Sequence, residues 1–276
     1  DEKRRRDAEK KEKTKASGDL IEPRKNSIGT QNSTNKKGFF SWFRNKISRK
    51  LTETEEEKLR EDFDRDGFVV LRGYLNAEEL REMRIHCEEY AGRVKALDDV
   101  AGGVIKGLDQ DDPWFRDYLE GGKHIPLMKR LISDGLAPDN VTWINKSKSI
   151  ERTMPHYDAI GSYLTPPSGV SLWIALDDID RNNGCLHYEK GSHLRDFPNA
   201  YPLPNYDEQN ENVVAVEARA GDAVMHSTKV IHFSIDVVEE RPRHAMVYAY
   251  WGGSAKINPN APARSKSAYA ENRLVL

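Results

Sequence analysis

Cysteine is nearly absent: the 276 residues hold only Cys87 and Cys185, in neither a CxxC nor a CxxH spacing. That excludes a disulfide framework and a cysteine-based structural zinc site, and favours a reducing intracellular compartment, cytoplasmic or organellar. Long apolar runs are missing as well. With no stretch of 18 apolar residues, no membrane-spanning helix is expected, and the charged N-terminus excludes a secretory signal within this sequence. The chain opens at Asp1 rather than Met, which leaves room upstream for a targeting or membrane segment. Basic excess is lacking outside the N-terminal region. The formal net charge is −2, yet residues 1–50 carry 16 lysines and arginines against 7 acidic residues. The remainder is therefore acidic, which argues against a nucleic-acid partner.

Large apolar side chains are almost lacking from residues 1–37, which cannot bury enough surface to offset chain entropy and are expected to be disordered. The stretch "GFFSWFRNKISRK", residues 38–50, interleaves Phe39, Phe40, Trp42 and Phe43 with basic residues. It suits an anionic membrane surface or a partner protein, the alternative being that its aromatics pack back onto the folded domain. A tail over 1–50 and one domain over 51–276, acting as a monomer, is the expected organisation. Thr52 or Thr54 with an acidic residue three later opens a helix, Asp66-Gly67 turns into the strand "FVVLRG", and Asn76 caps a second helix. The stretch "DDPWFRDYLEGGKHIPLMKRLISDG" predicts two more short helices. From residue 140 the texture changes to short β-branched or aromatic runs separated by Pro166-Pro167, Asn183-Gly184 and Gly221-Asp222. Regularly spaced short strands after helices predict a mainly β fold, a jelly roll with an N-terminal helical layer.

Within this pattern "TMPHYDAIGSY" places His156 and Asp158 two apart. On a strand both would point to one face, as two ligands of one ion require. The third ligand is expected from His232 in "GDAVMHSTKVIHFSI", with His226 as the rival. Two histidines and a carboxylate on one face of an octahedron are the ligand set of non-haem Fe(II) oxygenases, and the three open positions suit O₂ and a chelating cosubstrate. A dicarboxylate cosubstrate needs an arginine fork, and Arg243 at the head of "RHAMVYAYW" is the candidate, with Arg241 its rival. Ser234, two residues after His232, offers a second donor to the same carboxylate.

With these pieces in order, the sequence resembles the phytanoyl-CoA dioxygenase (PhyH)-like family of Fe(II)/2-oxoglutarate-dependent oxygenases. The matching segments run over residues 55–252: "DGFVVLRGYLNAEEL", "VIKGLDQDDPWF", "HYD", "LWIALDDIDRNNGCL", "KGSH", "GDAVMHSTKVIH" and Arg243. The resemblance implies a double-stranded β-helix (cupin-like) core and a hydroxylase that consumes O₂ and 2-oxoglutarate and releases succinate and CO₂. It implies that His156, Asp158 and His232 bind Fe(II), that Arg243 and Ser234 hold the distal carboxylate of 2-oxoglutarate, and that Lys106, Trp173 and Thr142 line the cosubstrate pocket. Tyr157 stands where the family often has Gln, which bears on the pocket rim.

Competing readings are a jelly roll that binds without turnover, whose signature would be a missing ligand or anchor, and a zinc hydrolase, which would leave Arg243 and Ser234 unexplained. His193 is expected to be structural, His187 is a candidate for the pocket wall, and His86, His124 and His244 read as surface or core. The substrate is expected to be a small molecule. Residues 98–125, including Asp109 to Phe115, and the loop from Arg195 to Asn210 are expected at the pocket mouth. The acidic folded region disfavours a polyanion such as an acyl-CoA, leaving small polar or zwitterionic molecules, or an alkyl chain presented at a membrane by residues 38–50.

Overall fold

The first helix, α1 (Glu53–Asp66), opens on the expected capping box, formed by Thr52 rather than Thr54: its side chain accepts the Glu55 N–H while the Glu55 carboxylate accepts the Thr52 N–H. The structure is a computed structural model and describes residues 52–93, 103–159 and 164–257; the expected tail and its aromatic segment 38–50 lie outside them. Helix α1 ends on Gly67, whose φ of 83° is a left-handed conformation that favours glycine, and a Cβ there would meet the His193 ring. The chain then enters β1 (Phe68–Leu71). Asn76 accepts the N–H groups of Glu78 and Glu79 to start α2 (Ala77–Arg93), which buries Met83, Cys87 and Tyr90.

After β2 (Val104–Lys106) comes the short α3 (Leu108–Asp111), and the stretch expected to give two helices gives them, α4 (Pro113–Gly121) and α5 (Ile125–Leu131). Asp112 caps α4 by accepting the Trp114 N–H at 2.9 Å, with Pro113 in the first turn where a missing N–H costs nothing. β3 (Leu136–Asn145) starts earlier than its β-branched residues announce. It passes through Pro138, tolerated because the register against the facing strand shifts there.

The remaining strands are β4 (Leu164–Thr165), β5 (Gly169–Ala175), β6 (Leu186–Glu189), β7 (Val213–Val216), β8 (Ala223–Ser227), β9 (His232–Ser234), β10 (His244–Gly252) and β11 (Lys256–Ile257). Pairing is antiparallel throughout, in a six-stranded sheet of order β1-β8-β5-β10-β3-β2, a three-stranded sheet β7-β6-β9 and the pair β11-β4.

Period-two alternation sorts the large sheet's residues onto two faces. Val141, Leu172, Ile174, Met225, Met246 and Tyr248 pack outward against Met83, Cys87, Phe115 and Tyr118 of the helices. Trp173, Ala175, Val224 and Ala245 pack inward against Leu186, Tyr188 and Val216 of the small sheet. Each such large side chain contributes about 1.5–3 kcal/mol by leaving water. The result is the expected jelly roll with a helical layer on one side, and the space between its sheets is where a site can form.

Two expectations fail here. Asp109 to Phe115 do not form the pocket mouth: Asp109 is buried with its carboxylate accepting the Val141 N–H at 2.7 Å, and Phe115 lies in the core behind the sheet. His187 does not face between the sheets either. It stacks on Phe233 on the opposite side of the small sheet, and its neighbour Tyr188 faces inward.

Candidate metal and cosubstrate site

Two of the proposed ligands are fixed by the backbone. His156 and His232 exchange both main-chain hydrogen bonds, at 2.8 and 3.1 Å, in an isolated antiparallel bridge, so their side chains leave on the same side. Asp158 is in the turn after His156 rather than on a strand, held by the Ala159 N–H donating to Thr228 O at 2.9 Å. The ligand atoms of His156, Asp158 and His232 all lie within 4.8 Å of one another.

Hydrogen bonds assign the ring nitrogens. The Nδ1 atoms of His156 and His232 lie 2.8 and 3.1 Å from the carbonyls of Met154 and Val230, which can only accept, so each Nδ1 carries the hydrogen and each Nε2 keeps its lone pair. The two Nε2 atoms are 3.8 and 3.6 Å from Asp158 Oδ1. Burial, with the neighbouring imidazoles, pushes the His232 pKa down to about 3 and lowers that of His156, so both rings are neutral at pH 7, as metal ligation requires. Enclosure by protein raises the Asp158 pKa, but His232, His226 and His156 outweigh it and hold the carboxyl well below the usual carboxylate range. Two neutral imidazoles and an ionised carboxylate fit Fe(II).

Asp158 Oδ2 has partners of its own. It accepts from Ser171 Oγ at 2.9 Å and lies 3.1 Å from His226 Nε2, while His226 Nδ1 is 3.1 Å from the Tyr188 hydroxyl. His226, the rival ligand, thus sits behind the carboxylate.

Of the residues expected at the cosubstrate, Lys106, Thr142 and Trp173 lie on the large sheet and Ser234 on β9 of the small one. Lys106 pairs with Thr142, Thr142 with Val247 and Val247 with Trp173, so Lys106, Thr142 and Trp173 belong to one cross-strand row, with Lys106 on the edge strand. Thr142 Oγ1 donates to Asn140 Oδ1 at 2.8 Å. Arg243 is 1% exposed, its guanidinium 5.5 Å from the Trp173 ring centre. Its Nε and Nη2 donate to Gly184 O, whereas Nη1 has no partner among the described residues. A buried guanidinium with an idle donor and no carboxylate partner is a cradle for an anion, as a dicarboxylate cosubstrate requires. Ser234 Oγ is buried and accepts the Thr153 N–H at 2.9 Å, which leaves its own hydrogen to donate. Arg241, the other candidate, is spent on Asp180 with two contacts of 2.8 Å.

Sequence reasoning missed Lys146. It lies directly across from Arg243, the Lys146 N–H donating to Arg243 O at 3.1 Å, and is also buried. Its ammonium donates to Glu151 O at 3.0 Å and has no carboxylate partner among the described residues. Burial and then the Arg243 charge push its pKa down to about 8. Ser171 and Tyr188 were missed as well. Their signal was parity: Ser171 alternates with the inward Trp173. At the mouth, the loop from Arg195 to Asn210 does flank the site. Tyr201, 58% exposed, sits edge-on to the His156 ring at 5.5 Å, and Leu203 N–H donates to Pro155 O. His193 bonds the Asp64 carbonyl, the structural role expected of it.

Comparison with known proteins agrees with this geometry. Residues 63–245 match the family profile described as Phytanoyl-CoA dioxygenase (PhyH). "Phytanoyl-CoA dioxygenase 1" of Oryza sativa subsp. japonica is 27% identical over 246 residues, covering 69% of this chain and 86% of that protein. "Ectoine dioxygenase" of Nocardia farcinica is 25% identical over 218 residues, covering 66% and 72%. Among solved structures, the epimerase SnoN in complex with Fe3+, alpha ketoglutarate and nogalamycin RO superposes with a TM-score of 0.67 at 22% identity, over 82% of this chain and 94% of that one. EctD from S. alaskensis with bound Fe gives 0.64 at 17% identity, over 80% and 88%, a likeness of fold.

Proposed function

The chain belongs to the phytanoyl-CoA dioxygenase family, and from that premise we propose that this iron- and 2-oxoglutarate-dependent dioxygenase hydroxylates a small organic molecule, releasing succinate and CO₂. One combination carries the reading: the His156, Asp158 and His232 cluster, with a buried Arg243 whose Nη1 lacks a partner among the described residues. An inactive binding protein would have no use for that idle donor, and a zinc hydrolase would not need it.

The three clustered side chains would hold Fe(II), which with 2-oxoglutarate supplies the oxidation of an unactivated C–H bond by O₂. The carbonyls of Met154 and Val230 fix the two rings so that each offers Nε2. Arg243 and Ser234 would bind the distal carboxylate of 2-oxoglutarate. Trp173 walls the guanidinium from water, which strengthens its grip on an anion. Lys106 and Thr142 would line the same pocket, and Tyr201 would meet the substrate at the mouth.

The acidic balance of residues 51–276 suits a small polar or zwitterionic substrate better than a polyanionic acyl-CoA, with alkyl chains the second class to screen. The test is anaerobic reconstitution with Fe(II). Addition of 2-oxoglutarate should raise the weak visible charge-transfer band of a chelated iron, and His232→Ala should abolish it. Succinate release then reads the substrate screen, and gain of one oxygen in the product separates hydroxylation from other oxidations. Folded, iron-loaded protein that shows no band would refute the reading.

A further inference from the structure

Asp158 is surrounded by more hydrogen-bonding groups than a metal ligand needs, and they divide its two oxygens. Oδ1 faces the Nε2 atoms of His156 and His232 at 3.8 and 3.6 Å. Oδ2 faces away from them into two donors, Ser171 Oγ at 2.9 Å and His226 Nε2 at 3.1 Å. An ionised carboxylate only accepts, so His226 Nε2 must carry its hydrogen. Its other nitrogen, Nδ1, then takes the 3.1 Å hydrogen from the Tyr188 hydroxyl, a group buried between the sheets. Tyr188, His226 and Asp158 thus form a directed chain of donors ending on one carboxylate oxygen.

Its members are rigidly placed. Ser171 and His226 are directly opposite on β5 and β8, hence side by side on the inward face. Tyr188 is fully buried, stacked on Phe68 at 4.5 Å and on His232 at 5.6 Å. His226 is 3% exposed, and its Nε2 points at a carboxylate oxygen rather than into the space the other three ligand atoms share.

We propose that the Tyr188–His226 pair, with Ser171, is a positioning device that ties up Asp158 Oδ2 and presents Asp158 to the metal through Oδ1 alone. A carboxylate free to swing could offer both oxygens and occupy a position that the cosubstrate or O₂ needs. Outer partners of this kind orient a ligand and tune its metal, and removing one costs about 10- to 100-fold in metal affinity. The inference rests on the proposed metal site but not on turnover, so it is tested with Co(II), a redox-stable stand-in, in the absence of 2-oxoglutarate.

The measurement is Co(II) titration of the metal-free full chain by calorimetry and by visible absorption, with a thermal melt of each metal-free variant to establish folding. His226→Phe should weaken Co(II) binding by about 10- to 100-fold and shift the absorption bands, because Oδ2 loses one of its two donors. His226→Gln, whose side-chain amide can donate from near the Nε2 position, should restore affinity to within about threefold of the original chain, which a purely space-filling role would not predict. Tyr188→Phe should shift the bands without abolishing binding. Unchanged affinity and spectrum in His226→Phe, or a glutamine variant as weak as the phenylalanine one, would overturn the inference. So would loss of all Co(II) binding in His226→Phe with retention in His232→Ala, which would make His226 a ligand. The expected Co(II) pattern across the variants together with no 2-oxoglutarate band would instead count against the proposed function alone.

Discussion

Replacing Arg243 by Met separates the two roles a buried arginine can have. The guanidinium is 1% exposed, has one idle donor and has no carboxylate among the described residues to neutralise it. Burial pushes its pKa down to about 10, so it remains charged at neutral pH and carries an uncompensated desolvation cost. If its purpose were structural, Arg243→Met should lower stability. If its purpose is to wait for an anion, the metal-loaded protein without cosubstrate should be no less stable as the Met variant, and what should vanish is stabilisation by 2-oxoglutarate. The lost contact is a buried charge pair, worth about 3–5 kcal/mol when one partner is removed. That weakens cosubstrate binding by roughly two to four orders of magnitude. At 2-oxoglutarate about 100-fold above its dissociation constant the original chain gains about 2.7 kcal/mol. At about 2–4 °C per kcal/mol for a domain of this size, its melting temperature should rise by about 5–10 °C, against roughly 1 °C in the variant. Differential scanning fluorimetry with Zn(II) in the site, with and without 2-oxoglutarate, reads both quantities. Equal ligand-induced shifts in the two proteins would refute the anchor. A variant that loses the Zn(II)-induced shift as well would show that Arg243 supports the whole site rather than the cosubstrate alone.

Two further substitutions test the surroundings. Lys146 has a folded-state pKa of about 8 against an ordinary 10.5, so charging it costs stability below about pH 8, and the cost disappears as pH rises toward 10.5. Lys146→Met should therefore stabilise the metal-free protein at pH 7 and do so less at pH 10, as read by urea denaturation; a difference that widens with pH would contradict the assignment. Asp222, buried at the turn that launches β8, accepts from Gly73 N and Arg72 Nη1 at 2.7 Å and from Arg219 N at 3.0 Å. Asp222→Ala removes all three of these hydrogen bonds from the turn and should cost about 2–4 kcal/mol, with a melting temperature lower by about 5–15 °C. A change under about 2 °C would show that the turn is held by Gly221 alone.

What could be read from the sequence was whatever a local rule fixes. Thr52 and Asn76 announce helices because a cap needs only its own next three residues. His156 with Asp158, and Gly221-Asp222 eleven residues before His232, are legible because a turn and a short strand set those spacings. The inward placement of Trp173 and Val224 follows from period two alone. Failures came where parity was counted across a break or where polarity was mistaken for exposure. His187 was counted inward from Cys185, but Cys185 follows Gly184 at a φ of 85° and lies before the strand begins, so Cys185 and Leu186 both reach the core between the sheets and His187 turns away. Asp109 and Asp112 gave their stretch the look of a rim, yet their carboxylates are taken up by the Val141 and Trp114 N–H groups, and the aromatics beside them fill the core under the sheet.

The residues missed altogether share one cause. Lys146 meets Arg243, and Ser171 meets His226, only through strand register, between positions 97 and 55 apart in the chain. Register is set by events no residue announces on its own, such as the shift between Ala249 and Tyr250. One consequence is that ligand identity and ligand support were unequally visible. His156, Asp158 and His232 lie on turns and short strands whose spacing is local, whereas the groups that aim Asp158 come from β5, β6 and β8 and converge only once the two sheets face each other. His226 shows the difference most plainly. As a letter six residues before His232 it competes for the metal, and as a side chain opposite Ser171 it can only stand behind the carboxylate.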